Sequence, residues 1–171
     1  RVKKESWARW HSCSLCEQHY HGVVKCALGW ACWKTYVGRP ETNSTRLMAI
    51  NVLGMGLSAA ENHEDALIVG EAEVSMRRRL GGSDYNLLMV QGNLAITYQR
   101  IGRLEEAANA FRDVYSGCLQ LNGEEHEGTL VAGNNYAASL VHLQRFEEVK
   151  LVMRKIVPVA GRVFGENHEF T

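Results

Sequence analysis

The chain has little proline, no net charge and no long apolar run. Two Pro in 171 residues leave room for long uninterrupted helices, since proline in a helix interior removes a hydrogen bond and clashes with the preceding turn. Nineteen Lys or Arg balance nineteen Asp or Glu. That balance gives no overall field to gather nucleic acid or anionic lipid, and no nucleic-acid partner is expected. No stretch approaches the roughly 18 to 20 apolar residues of a membrane span. Residues 1 to 17 are polar and basic, without the apolar core of a signal peptide. Five Cys are an odd number, and four of them lie at 13, 16, 26 and 32. A disulfide-stapled secreted domain spreads an even number along its length. A reducing compartment, the cytoplasm by default, is therefore expected, with the clustered Cys serving metal binding or burial. Residue 1 is Arg, and further chain before it is expected.

What is present changes character near residue 43. Residues 1–43 hold all four Trp, at 7, 10, 30 and 33. Residues 44–171 hold none, and they repeat with a period of 42. Gly81 falls on Gly123 and then Gly165. Leu88 falls on Leu130, Asn93 on Asn135 and Ala95 on Ala137. Arg103, Glu105 and Glu106 fall on Arg145, Glu147 and Glu148. The expected copies run about 44–80, 81–122 and 123–164, with a further one starting at 165–171. Asn51 and Glu64-Asp65-Ala66 place the first copy in the same frame, with one residue lost at its turn.

Each copy reads as two helices. Leu87, Val90, Leu94, Tyr98 and Ile101 recur at three and four residues and form one apolar stripe. Gly102 suits a left-handed helix end. Leu104, Ala107, Phe111, Val114 and Cys118 form the second stripe. In the next copy Gly133, Ala137 and Leu140 are followed by Phe146, Val149, Met153, Ile156 and Ala160. A single hairpin cannot bury such stripes alone, so neighbouring copies must cover one another.

The segment Asn93-Leu94-Ala95, Tyr98, Gly102, Leu104, Ala107, Phe111 resembles the tetratricopeptide repeat. The 42-residue period and the Gly-Glu-x-His linkers resemble the kinesin-light-chain branch of that family. The resemblance implies an all-α fold, a right-handed α-solenoid of helical hairpins with an N-terminal capping helix. It implies a non-catalytic scaffold or assembly subunit whose groove binds a protein or peptide partner. In that branch, Asn residues of the first helix of each repeat bond the backbone of a bound peptide, and an amide can serve both as donor and as acceptor. The matching positions are Asn51, Asn93 and Asn135, with Asn134 beside the last. Gly56 and Gly70 stand where aromatic residues are usual, so the first copy is expected to pack more loosely. Gln144 stands where the turn Gly is usual.

Before the repeats, Cys13-x-x-Cys16 with Tyr20 and Gly22 following has the spacing of a zinc knuckle, in which two thiolates reach one ion. One pair supplies two of four ligands. His11, His19, His21, Cys26 and Cys32 are candidates within the chain, and the spacing does not choose among them. Trp10, Cys13, Cys16, Gln18, Tyr20 and Gly22 also resemble the closing end of a RING-variant (RING-CH) zinc finger. In that family the last Cys pair is completed by earlier ligands, which here would lie before Arg1. The resemblance implies zinc at Cys13 and Cys16, and an alternative function as the substrate-recognition part of a RING-variant ubiquitin ligase. Cys26, Cys32 and Cys118 read as small buried core residues. Residues 23–36 read as a helix whose Trp side chains cap the first repeat. His63, His126 and His168 read as linker residues, and Arg77-Arg78-Arg79 as cations at a helix C-terminus. The sequence carries no phosphate loop, nucleophile elbow or metalloprotease motif, and no catalytic residue is assigned.

Overall fold

The computed structural model describes residues 7–81 and 84–165. The chain is all-α. Among the described residues it holds a 3-10 turn at Trp7–Trp10 and seven helices. These are α1 (Gly22–Tyr36), α2 (Ser44–Ala59), α3 (His63–Leu80), α4 (Asp84–Arg100), α5 (Leu104–Asn122), α6 (Glu127–His142) and α7 (Phe146–Phe164). Two compact units divide them, Arg1–Gly81 and Gly82–Thr171. The first holds α1 to α3 and the second holds α4 to α7. The segment 7–43 thus lies in one unit with α2 and α3. The start of a further copy, 166–171, lies outside the described residues, as does His168.

Each hairpin reverses at one left-handed residue. Gly102 takes φ +80°, and Glu61 and Gln144 take φ +61° and +59° at the matching positions. A residue with a Cβ pays about 1 kcal/mol for that conformation, so only the middle hairpin has the unstrained choice. The residue before each second helix then bonds the carboxylate three positions on. Asn62 donates to Asp65 at 3.0 Å, Arg103 to Glu106, and Arg145 to Glu148 at 2.6 Å. The Arg103 bond holds the Glu106 carboxyl below its ordinary range. His126 caps α6, its Nδ1 accepting from the Gly128 N–H at 3.0 Å, which gives it the linker role that its position implied.

In the second unit the expected stripes meet. Ala95, Ala107 and Phe111 form one buried cluster with Tyr98 and with Tyr136 of α6. Val114, Cys118 and Ala132 form the next, with Leu88 and Tyr115 against it. Leu130, Ile156, Val159 and Ala160 form a third. Phe146, expected in a stripe, is exposed at the first position of α7.

The first unit is held differently. α1 and α2 touch through their backbones: a Cβ on Gly56 would lie 2.8 Å from the Lys25 carbonyl oxygen, and one on Gly29 3.1 Å from the Leu53 Cα. Gly56 therefore marks a close approach of α2 to α1, the helix before the first copy, and not a contact within the α2–α3 hairpin. The missing side chain is what admits the neighbouring backbone. Cys32, Tyr36, Ala49 and Val52 are buried with Trp7, Trp10 and Trp33 against them. Trp7 stacks on Tyr36 with ring centres 5.3 Å apart. Three guanidinium groups cover aromatic faces: Arg9 over Trp10, Arg39 over Tyr36 and Arg46 over Trp33, at 4.7, 4.8 and 5.8 Å. Three of the four Trp thus pack inward as a cap would, and Trp30 does not.

Candidate functional site

The candidate partner-binding residues fall on the first helix of each hairpin, in different surroundings. On α4, Met89, Asn93, Ile96 and Arg100 are all exposed. Their spacing of four, three and four places them on one face. The same register on α6 gives Val131, Asn135, Ala138 and His142, the last two exposed and Asn135 half-buried. Asn134 is half-buried beside it. Ile96, Gln99, Arg100 and Leu104 line a hollow of about 470 Å³ together with His142. The α4 stripe and the end of α6 therefore border one concave surface. No side chain lining it is a carboxylate.

Asn51 has a different setting. Its amide donates to Glu73 Oε2 at 3.3 Å. Glu73 is only 3% exposed and takes two bonds from Arg77, at 2.9 and 2.7 Å. Arg77 also reaches the Leu47 carbonyl at 3.4 Å. Burial pushes the Glu73 carboxyl above its ordinary range, and Arg77 and Asn51 pull it partly back. Counting from the helix starts, Glu73 and Arg77 occupy the places that Val114 and Cys118 hold in α5, and Ile156 and Ala160 in α7. An ion pair thus replaces two apolar core positions in the first hairpin. The sequence hid this, because Arg77 reads as one of three cations at the end of α3. Only its neighbours Arg78 and Arg79 keep that role, and Arg79 reaches Glu41 at 3.4 Å.

Cys13 and Cys16 lie in a tight loop closed by an antiparallel bridge between Ser12 and His19. The Cys13 N–H bonds the Gln18 carbonyl, and the Glu17 N–H bonds the Cys13 carbonyl, both at 2.9 Å. The Cys13 thiol is held below its ordinary range, first by the backbone N–H of Cys16, then by that of Leu15 and by the Cys16 thiol. A thiol lowered in this way suits a metal-bound thiolate. The count of ligands does not: among the described residues no three His, Cys, Asp or Glu gather to hold an ion. The described residues fit half of a zinc site. Cys32 and Cys118 are buried, and burial pushes their thiols up, Cys32 to about 11. Neither is a ready nucleophile, in keeping with a core role. No described helix is long and apolar enough to cross a membrane.

The chain resembles known structures in fold. BtubC (BKLC) from P. vanneervenii superposes with a TM-score of 0.70 at 18% identity, over 86% of this chain and 60% of that one. A Podosopora anserina protein described as a kinesin light chain with nearly identical TPR-like repeats gives 0.70 at 19%, over 86% and 69%. The chain thus spans about two thirds of the length of these structures. No curated protein matches it. Residues 44–120 match the tetratricopeptide repeat family, an architecture whose general role is to hold protein partners without catalysis.

Proposed function

We propose that this chain is a non-catalytic protein-interaction scaffold, and that a partner segment lies along the α4 and α6 surface. The observation that supports it most is the matched register, exposed Asn93, Ile96 and Arg100 on α4 with half-buried Asn135 and exposed Ala138 and His142 on α6. Amides spaced along two neighbouring helices can bond an extended backbone whatever its side chains, and Ile96 supplies apolar contact beside them. Asn51 serves the Glu73–Arg77 pair, so Asn93, Asn134 and Asn135 carry the binding. The test is capture of partners by Asn93→Ala with Asn135→Ala. Partners retained by the unmodified protein are expected to be lost while helicity is unchanged. Equal capture would move the binding surface elsewhere.

We also infer a second role for the Cys13–Cys16 loop, from the tight turn and the Ser12–His19 bridge that bring the two Cys together. Two thiolates there hold zinc together with ligands outside the described residues. Zinc would supply structural cross-linking, and the RING-variant resemblance would make the repeats the substrate-selecting part of a ubiquitin ligase. Metal analysis of the intact protein tests this. Cys13→Ser with Cys16→Ser should lower bound zinc by one ion per chain, and unchanged zinc would remove both statements.

A further inference from the structure

The two surface thiols sit in one turn. Three of the five Cys are committed to the interior. Cys26 packs against Leu53, Leu57 and Ala66, Cys32 lies with Tyr36, Ala49 and Val52, and Cys118 with Val114 and Ala132. Cys16 is exposed and Cys13 half-buried. The Glu17 N–H bonds the Cys13 carbonyl at 2.9 Å, which closes one uncontinued turn of helix over both residues. With a rise of about 1.5 Å per residue and a radius of about 2.3 Å, residues three apart in such a turn have Cα atoms about 5 Å apart. A disulfide spans about 4.4 to 6.8 Å between Cα atoms. The pair therefore stands at bridging distance, with both thiols free.

The loop is also prepared for closure. The Cys13 N–H bonds the Gln18 carbonyl and the Tyr20 N–H bonds the His11 carbonyl, both at 2.9 Å. Ser12 and His19 form an antiparallel bridge, and Glu17 takes the left-handed φ of +59° at the reversal. These main-chain bonds hold the loop while the thiols are reduced. The ordering cost of bringing the two Cys together is therefore already met. Ser14 and Leu15, between them, are both exposed, so the turn is open to a small molecule from solution.

We propose that Cys13 and Cys16 form a reversible thiol–disulfide site, oxidised by a low-molecular-weight disulfide of the glutathione class and reopened by the corresponding thiol. Cys16, the exposed member, loses its proton to water and attacks one sulfur of the small disulfide. That S–S bond breaks, a mixed disulfide forms and one thiolate leaves. Cys13, deprotonated in the same way, attacks the Cys16 sulfur. The Cys13–Cys16 bond forms, the mixed disulfide breaks and the second thiolate leaves. The two leaving thiolates take up the two protons. The pair has lost two hydrogens and two electrons, and the small disulfide has been reduced to two thiols. Excess thiol runs the same steps backwards. The site needs no group from outside the loop, so it goes beyond the zinc reading and does not rest on it. A bridged pair holds no metal, because the ligand form of Cys is the free thiolate.

The test is incubation of the intact protein with oxidised glutathione, followed by acid quenching, trypsin and mass spectrometry. Cleavage after Arg9 and Lys25 gives a fragment, Trp10 to Lys25, that holds both Cys and no other. Its mass should fall by two hydrogens and return when excess reduced glutathione is added. Bridging should be about tenfold or more faster than any modification of buried Cys32 and Cys118. Cys13→Ser and Cys16→Ser should each keep one glutathione on the remaining Cys, an adduct that the unmodified chain resolves. Circular dichroism checks the fold of both variants, and the fragment mass of the unmodified chain decides without them. A lasting glutathione adduct on the unmodified chain, no reaction at either Cys, or a bridge to Cys26 instead overturns the proposal. Zinc content is measured first, and the oxidation is run before and after a chelator. A chain without zinc that bridges removes the zinc reading and leaves this site standing. A chain that carries zinc and, once stripped, does not bridge does the reverse.

Discussion

The first hairpin and the second solve the same packing problem with different chemistry. α5 turns Phe111, Val114 and Cys118 into the core, and these meet Ala95, Ala132 and Leu88. α3 has Gly70, Glu73 and Arg77 at the corresponding places. It buries a carboxylate and ties it to α2 through Asn51 and to its own helix through Arg77. On the other side of α2, contact with α1 comes through backbone at Gly56 and Gly29. Apolar positions in the second unit gain from area removed from water and tolerate modest change. The polar and glycine contacts of the first unit depend on partners that cannot be removed singly.

Breaking one member of the buried pair gives the largest expected effect. Arg77→Ala leaves Glu73 without its cation and should lower stability by about 3 kcal/mol or more, read as a fall in the urea midpoint. Next comes Gly56→Val, whose Cβ cannot fit beside the Lys25 carbonyl. It should cost about 2 to 3 kcal/mol by overpacking, while Gly92→Val, at a place with no neighbour for its Cβ, should change little beyond helix propensity.

Making α3 resemble α5 sharpens the contrast. Glu73→Val with Arg77→Cys replaces the pair by the residues of the second hairpin. It should be neutral or stabilising, since a buried ion pair rarely outperforms apolar packing. It should also remove a pH dependence. The folded Glu73 carboxyl is raised, so between its ordinary value and the raised one the folded protein keeps a proton that the unfolded chain has lost. Its contribution to stability therefore falls as pH rises through that window. Unfolding midpoints measured on both sides of it should lose this slope in the double variant. The smallest effect is Gln144→Gly, which gives the third hairpin the turn of the second. Relief of the left-handed strain at φ +59° should raise stability by about 1 kcal/mol, visible as a slightly higher melting temperature.

Much of this was legible along the chain. The 42-residue spacing of Asn93, Ala95, Arg103 and Glu106 with Asn135, Ala137, Arg145 and Glu148 places both hairpins of the second unit. Gly102 marks its turn. The exposed stripe of α4 follows from the same periodicity, because the residues between the apolar ones must face outward. Asn51 was less legible. Its register matches Asn93, yet its surroundings are set by Glu73, 22 residues away. Nothing in the spacing says that a carboxylate on the neighbouring helix will be buried. The Cys13–Cys16 spacing offered two candidate ligands and no more, and among the described residues no third group joins them.

The sequence by itself determined the helices, their pairing into hairpins and the positions of the turns, since these depend on residues within a few steps of one another. Tertiary structure alone decided three things. Gly56 became a backbone contact, Glu73 and Arg77 turned inward, and α1 kept its Val23, Val24 and Trp30 face in the open. A periodic stripe shows that a helix has an apolar face. Which neighbour covers it depends on contacts between elements far apart in the chain, and on α1 no described element does.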